Sequence, residues 1–248
     1  MPHYIQSVYL KSAPPPSSYL SELPVVRHLR QIVELRLTSD VTFFVGENGT
    51  GKSTLLEAVA VAMGFNPEGG TRNFNFATAE THSPLNEFIT VVKGVRPRDG
   101  FFLRAESFYN VASYIDLLDS EPSFGAPVIE SYGGVSLHEQ SHGESFLALF
   151  KNRFGGNGLY LLDEPEAALS PSRQMTLMVL MNELLQKHSQ FVIATHSPIL
   201  MTFPHAQVIE LTEDSIRTVP YQQTEHFQLT RRFLNNPEKM MEILLGER

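Results

Sequence analysis

The chain of 248 residues contains no cysteine. That absence removes disulfides, thiolate metal sites and cysteine nucleophiles at once, and it accords with a cytoplasmic protein. Long apolar runs are missing too. The longest candidate, Leu55 to Phe65, is interrupted by Glu57 and falls short of the ~20 residues a spanning helix needs. Met1 to Leu10 alternates polar and apolar residues, so no signal peptide is expected, and the chain reads as soluble with no membrane insertion. Positive charge is in short supply: 19 Lys and Arg face 27 Asp and Glu, a formal charge of -8. A generally basic nucleic-acid-binding surface is thereby disfavoured, because non-specific affinity for phosphates comes from neutralising them. The local clusters at Arg27 with Arg30, Lys93 to Arg98, and Arg231 with Arg232 read as solvated surface charge.

What is present is an ordinary globular composition, 42% hydrophobic, enough for one sizeable core. A single domain over 1–248 is expected. Within it, about 107–140 reads as a short insertion or helical subdomain, and about 220–248 as a C-terminal helical segment. A first strand is expected near Ile5 to Tyr9, then a turn at Pro14 to Ser18. Ile32 to Leu37 and Val41 to Val45 read as two strands joined by Thr38 to Asp40, and Lys52 to Met63 as a helix closed by Gly64. From Asn66 to Asp99 a Gly/Asn-rich loop precedes Phe88 to Val92, which fits either a strand or a helix end. Phe101 to Arg104 reads as a strand, Phe108 to Leu118 as a helix, and Ser120 to Gly134 as irregular.

The second half is more regular. Ser145 to Phe154 reads as a helix and Leu159 to Leu162 as a buried strand. Ser170 with Pro171 opens a helix to about Leu185. Phe191 to Thr195, Gln207 to Leu211 and Ile216 to Val219 read as strands, and Asn236 caps a last helix. Strands alternating with helices indicate an α/β sheet that is at least partly parallel.

Three strand ends carry chemistry. Gly46-Glu47-Asn48-Gly49-Thr50-Gly51-Lys52-Ser53, with Thr54 after it, fits G-x-x-x-x-G-K-S/T between an expected strand and an expected helix. Glycines let successive N–H groups turn toward phosphates, and the helix N-terminus adds its positive dipole end. Lys52 is expected to bridge the β and γ phosphates, and Ser53 to offer its hydroxyl to Mg²⁺. Leu159-Tyr160-Leu161-Leu162-Asp163-Glu164 is an apolar strand ending in two acids. Asp163 is the expected Mg²⁺ holder and Glu164 the group that polarises water. An acidic helix start after a strand is the plainer alternative for this pair. The third end, Phe191-Val192-Ile193-Ala194-Thr195-His196, offers His196 as a donor to the γ-phosphate or to the water. One helix before the acids, Gln140-Ser141-His142-Gly143-Glu144 either faces an anion or forms an S-x-x-E capping box; the two are compatible.

In this order the phosphate loop, S-x-G-E, apolar-DEP and apolar-TH resemble the ABC ATPase superfamily from about Val41 to Leu200. The resemblance implies a P-loop NTPase with an ABC-head-like mixed sheet flanked by helices, and a short helical insertion before the signature. It makes Gly46 to Ser53 the Walker A motif, Leu159 to Asp163 the Walker B motif, and Glu164 the catalytic base. His196 becomes the switch histidine, and Ser141, Gly143 and Glu144 the signature that serves a partner's nucleotide. Ala168-Leu169-Ser170 takes the D-loop position, with Ser170 where the family has Asp. The signature departs from L-S-G-G-Q at Gln140, His142 and Glu144, and Glu144 is more like the chromosome-maintenance and DNA-repair branch. The chain, including Phe101 to Ser107 and Glu225-His226-Phe227, is similar to small stand-alone bacterial ATPases often labelled AAA family.

Glu106 takes the position of the family's metal-sensing Gln and is a further candidate metal ligand. Arg27, Arg30 and Tyr19 are candidates to meet adenine. The cofactors implied are ATP and Mg²⁺, and the partner implied is a second copy bound head to tail through ATP. The switch would act on DNA or a protein effector. A transporter's ATPase subunit and a slow-hydrolysing scaffold are the alternatives.

Overall fold

A computed structural model describes residues 3–72, 83–120 and 126–246, with His142 described in its backbone only. Residues 73–82 of the Gly/Asn-rich loop and 121–125 of the irregular stretch lie outside the described residues. The elements in chain order are β1 (Ile5–Leu10), α1 (Pro24–Leu29), β2 (Leu35–Arg36), β3 (Val41–Val45), α2 (Lys52–Ala62), β4 (Ile89–Lys93), β5 (Asp99–Arg104) and α3 (Phe108–Ser120). They continue with α4 (His142–Ala148), β6 (Gly158–Asp163), α5 (Pro171–Gln186), β7 (Gln190–Ala194), β8 (Gln207–Leu211), β9 (Ile216–Thr218), α6 (Glu225–Asn235) and α7 (Pro237–Leu245).

Six strands form the main sheet in the order β5-β6-β7-β3-β8-β9. Every neighbouring pair is parallel except β8 with β9. The central strands are apolar on both faces because both are covered. Along β3, Val41, Phe43 and Val45 face one core and Phe44 the other. Along β6, Tyr160 and Leu162 face the first, Leu159 and Leu161 the second. The first core holds residues of α3, α4 and α5; the second holds residues of α1, α2 and a small sheet ordered β2-β1-β4.

The small sheet corrects one expectation. The strand over Ile32 to Leu37 shrinks to Leu35–Arg36, and it pairs with β1 instead of leading into the main sheet. Val33 is 92% exposed, so nothing there rewards an extended backbone. Phe88 to Val92 resolves as a strand, Ile89–Lys93, antiparallel to β1. Gln190 locks the two sheets together: its carbonyl oxygen accepts from the Tyr4 and Ile5 N–H groups at 2.9 Å each, and its amide donates to the Ile5 carbonyl at 2.9 Å.

The helix expected over Ser145 to Phe154 starts earlier, at His142, because Glu144 accepts from the Ser141 N–H at 3.1 Å and completes a capping box. It then opens into a π turn at Leu149–Arg153. The turn's end is fixed by Asp99, which accepts from Arg153 at 2.9 Å, the Gly155 N–H at 3.0 Å and the Tyr160 hydroxyl at 2.8 Å. The helix α1 has no counterpart among the elements expected from the sequence, whereas α6 and α7 fall within the expected C-terminal helical segment. No helix among the described residues is long and apolar enough to cross a membrane.

Candidate functional site

Parallel order brings the carboxyl ends of β5, β6, β7 and β3 to one edge of the sheet, where the crevice of an open α/β fold lies. Arg104, Asp163, His196 and Gly46 sit at or just beyond those four ends. Register pairs Arg104 with Asp163 directly.

The loop after β3 is shaped by glycines that only glycine can supply. Gly46 has φ +141°, and a Cβ there would lie 1.9 Å from the Leu211 carbonyl oxygen. Gly51 has φ +95°, and its Cβ would lie 2.4 Å from Val25 Cγ1. The loop is therefore pressed between β8 and α1, and Val25 N–H donates to the Thr50 carbonyl at 3.1 Å. Leu211 is backbone and cannot swing aside. Gly46→Ala is expected to cost about 3 kcal/mol of stability, read by urea unfolding; a loss under about 0.5 kcal/mol would show that the loop tolerates the side chain.

Lys52 is buried at the start of α2 and its ammonium donates to the Glu47 carbonyl at 2.9 Å. Thr50 donates its hydroxyl to the same carbonyl at 2.9 Å. Burial holds the Lys52 ammonium below its ordinary value against the pull of Glu164, Asp163, Glu47 and Glu166. Ser53 hydrogen-bonds Asp163. Burial pushes the Asp163 carboxyl up to about 6, although the Ser53 bond and Arg104 work in the other direction. Asp163 Oδ1 is buried with no hydrogen-bond partner, so one carboxylate oxygen of this site is unsatisfied by the protein.

Arg104 was missed in the sequence. Its guanidinium meets Glu57 at 2.5 Å, pairs with Glu106, and lies 3.7 Å from Asp163 Oδ2. Glu106 lines the same pocket as Ser53, Asp163 and Glu164, but its side chain is 71% exposed and already paired. The signal available was an Arg ending an apolar strand, Phe101-Phe102-Leu103-Arg104.

Glu164 follows Asp163 with φ +49°, a left-handed conformation that costs a non-glycine residue roughly 1 kcal/mol or more and concentrates at functional positions. Its Oε1 lies 3.7 Å from His196 Nε2, which is buried without a hydrogen-bond partner. Glu166, also missed, accepts from the His196 N–H at 2.5 Å and thereby ties the acidic turn to the end of β7; burial raises its carboxyl. The His196 ring is held below its ordinary value by burial, with Lys52 and His226 adding to the effect.

Of the candidates for the base, Arg27 pairs with Glu213 at 2.6 Å, Arg30 donates to the Pro14 carbonyl at 3.4 Å, and Tyr19 is 57% exposed. Asn48 and Gly49 stand at the exposed tip of the loop, and Ser53 and Thr54 open α2. Ser141 and Glu144 lie apart from this cluster at the start of α4, both exposed. They hydrogen-bond each other, and Arg173 of α5 reaches Ser141 Oγ at 3.3 Å and Glu144 Oε1 at 3.4 Å. Gly143 packs under Arg173, where a Cβ would lie 2.2 Å from its Nη1. Ser170 caps α5, accepting from the Arg173 N–H at 3.4 Å.

Residues 26–116 match a family model described as an AAA domain, and residues 130–202 match another described as "AAA domain, putative AbiEii toxin, Type IV TA system". Among solved structures, the chain resembles "a putative metal-chelate type ABC transporter" in an inward-facing conformation. The TM-score is 0.50 at 16% identity, over 91% of this chain and 87% of that one. The chain has the fold of an ABC-type P-loop ATPase. A second similar structure is the SMC head domain from Thermotoga maritima, with a TM-score of 0.45 and 16% identity over 88% of this chain and 99% of that one. No curated protein matches the sequence significantly.

Proposed function

We propose that the chain is a cytoplasmic, Mg²⁺-dependent ATPase that binds ATP on the Gly46 to Thr54 loop. The site is completed by Ser141, Gly143 and Glu144 of a second copy, and nucleotide-driven closure acts on a protein effector or DNA. One observation carries this reading: the two acids, the buried Lys52 and the Nε2 of His196 converge on the mouth of a glycine loop. Ser141 and Glu144 stand exposed elsewhere, each in contact with Arg173, over the buried Gly143. A half-site of each kind on one chain is the arrangement that a two-fold dimer completes twice.

The residues fit the nucleotide and its metal. Asp163 Oδ1 is an unpartnered buried acceptor beside the Ser53 hydroxyl. Among the described residues, no three His, Asp or Glu side chains close around a metal by themselves, so Ser53 and Asp163 would share the ion with phosphate and water, with Glu106 as a further ligand if it leaves Arg104. Bound Mg²⁺ supplies charge neutralisation for the departing γ-phosphoryl group. Lys52 would exchange the Glu47 carbonyl for phosphate oxygens. Glu164 orients water and takes its proton; His196 holds a donor on the facing side.

The net charge of -8 favours a protein effector over DNA. Phosphate release by the purified chain in Mg-ATP is the test: turnover is expected, and Lys52→Ala and chelation of the metal should each abolish it. Equal turnover in Lys52→Ala would place the activity in a contaminant. Stimulation by duplex DNA that declines with salt would shift the partner to DNA.

A further inference from the structure

The first turn of α6 reaches into the nucleotide site. His226 Nε2 lies 3.0 Å from His196 Nδ1 and 3.5 Å from Glu47 Oε1. Its position is secured on both sides. Thr224, just before the helix, is buried and donates its hydroxyl to the Tyr221 carbonyl at 2.7 Å; Phe227, just after His226, packs edge-on to Tyr221 at 5.0 Å. The rest of α6 is largely exposed, so its imidazole is the part of the helix that meets the loop.

We propose that His226 is a positioning residue for His196: it sets the tautomer that leaves the His196 proton on Nε2, the nitrogen facing Glu164. The proposal rests on the ATPase reading for its consequence, and on the geometry of this chain alone for the tautomer. A neutral imidazole has one donor and one acceptor nitrogen, and the partner of one nitrogen decides the role of the other. Glu47 is a carboxylate and only accepts, so His226 is favoured with its proton on Nε2, where it serves both Glu47 and His196 Nδ1. His196 Nδ1 is then the acceptor, and the ring keeps its own proton on Nε2, 3.7 Å from Glu164 Oε1.

The opposite assignment sets a lone pair against a carboxylate at both ends, His226 Nε2 against Glu47 and His196 Nε2 against Glu164. The two carboxylates select the same tautomer from opposite sides. The result is a donor with no protein hydrogen-bond partner at the place where an oxygen of phosphate or water needs one. Helix α6 thus prepares the catalytic end of β7, and Glu47, a variable position of the loop pattern, acquires a task.

The tautomer is read in nucleotide-free protein at a pH where both rings are neutral, by long-range ¹⁵N–¹H correlation of labelled histidines. Wild type is expected to show His196 protonated on Nε2; His226→Phe, which keeps a ring in the same packing, should show a mixture or the reversed tautomer. In Mg-ATP, His226→Phe should lower kcat about tenfold with KM for ATP changed less than about twofold, and His226→Gln, whose amide can donate to Nδ1, should recover part of the loss. Should His226→Phe unfold, Glu47→Gln is the second variant, expected to weaken the bias. An unchanged His196 tautomer in both variants overturns the proposal. Absence of turnover in wild type would count against the ATPase reading, while the nucleotide-free spectrum would still decide the role of His226.

Discussion

Glu164→Gln is expected to slow ATP turnover about 10³-fold while leaving ATP binding intact. The argument is geometric and chemical. The residue follows β6 in a left-handed conformation, which glutamine tolerates as well as glutamate, so the backbone stays in place. Among the described residues its carboxylate makes no hydrogen bond that fixes the loop; it lies 3.7 Å from His196 Nε2. Glutamine preserves size and removes the capacity to take a proton from water, so the loss falls on the chemical step. Phosphate release together with nucleotide binding by equilibrium titration measures this. A variant within about tenfold of wild type would transfer the base to another group, with Glu166 next in line.

Asp163→Asn should separate stability from function. Burial lifts the Asp163 carboxyl from an ordinary 3.8 to about 6. A carboxyl raised in the folded state is neutral in both states below about pH 4 and costs nothing there. As pH rises from about 4 to about 6 the unfolded chain is ionised while the folded carboxyl stays protonated, so stability is lost across that window and levels off above it at a loss of about 3 kcal/mol. The nucleotide-free asparagine variant should therefore melt higher than wild type at pH 7 and equal to it near pH 4. The same substitution removes the anionic oxygen offered to Mg²⁺ and should abolish Mg²⁺-dependent turnover. Thermal melts across this pH range without nucleotide are the check; a variant less stable than wild type at pH 7 would show that the contacts to Ser53 and Arg104 outweigh the desolvation.

The parts of this site carried by short-range chemistry were legible in the sequence. A glycine loop between strand and helix, and acids at the end of an apolar strand, are read from adjacent residues, and the parallel sheet then brings them together. The capping box at Ser141 and Glu144 was legible for the same reason, although the helix was expected to start later. What escaped depends on partners far away in the chain. The short β2 is explained by its pairing with β1, and β1 by its pairing with β4 and by Gln190. Arg104 becomes a site residue through its register with Asp163 and its contact with Glu57. His226 lies 30 residues from His196, and no spacing in the sequence predicts that α6 turns back onto β7. Glu166 carries no signal of its own in the sequence, because its role comes from accepting the backbone N–H of His196, 30 residues further on.

The most direct test of a shared site is the mass of Glu164→Gln in solution, by light scattering, with Mg-ATP and with Mg-ADP. A doubled mass is expected in Mg-ATP alone, and adding either Lys52→Ala or Ser141→Arg to the same chain should return it to the single mass. A single mass in Mg-ATP, or a doubled mass that survives Ser141→Arg, would contradict a nucleotide held between the phosphate loop of one copy and the signature of another.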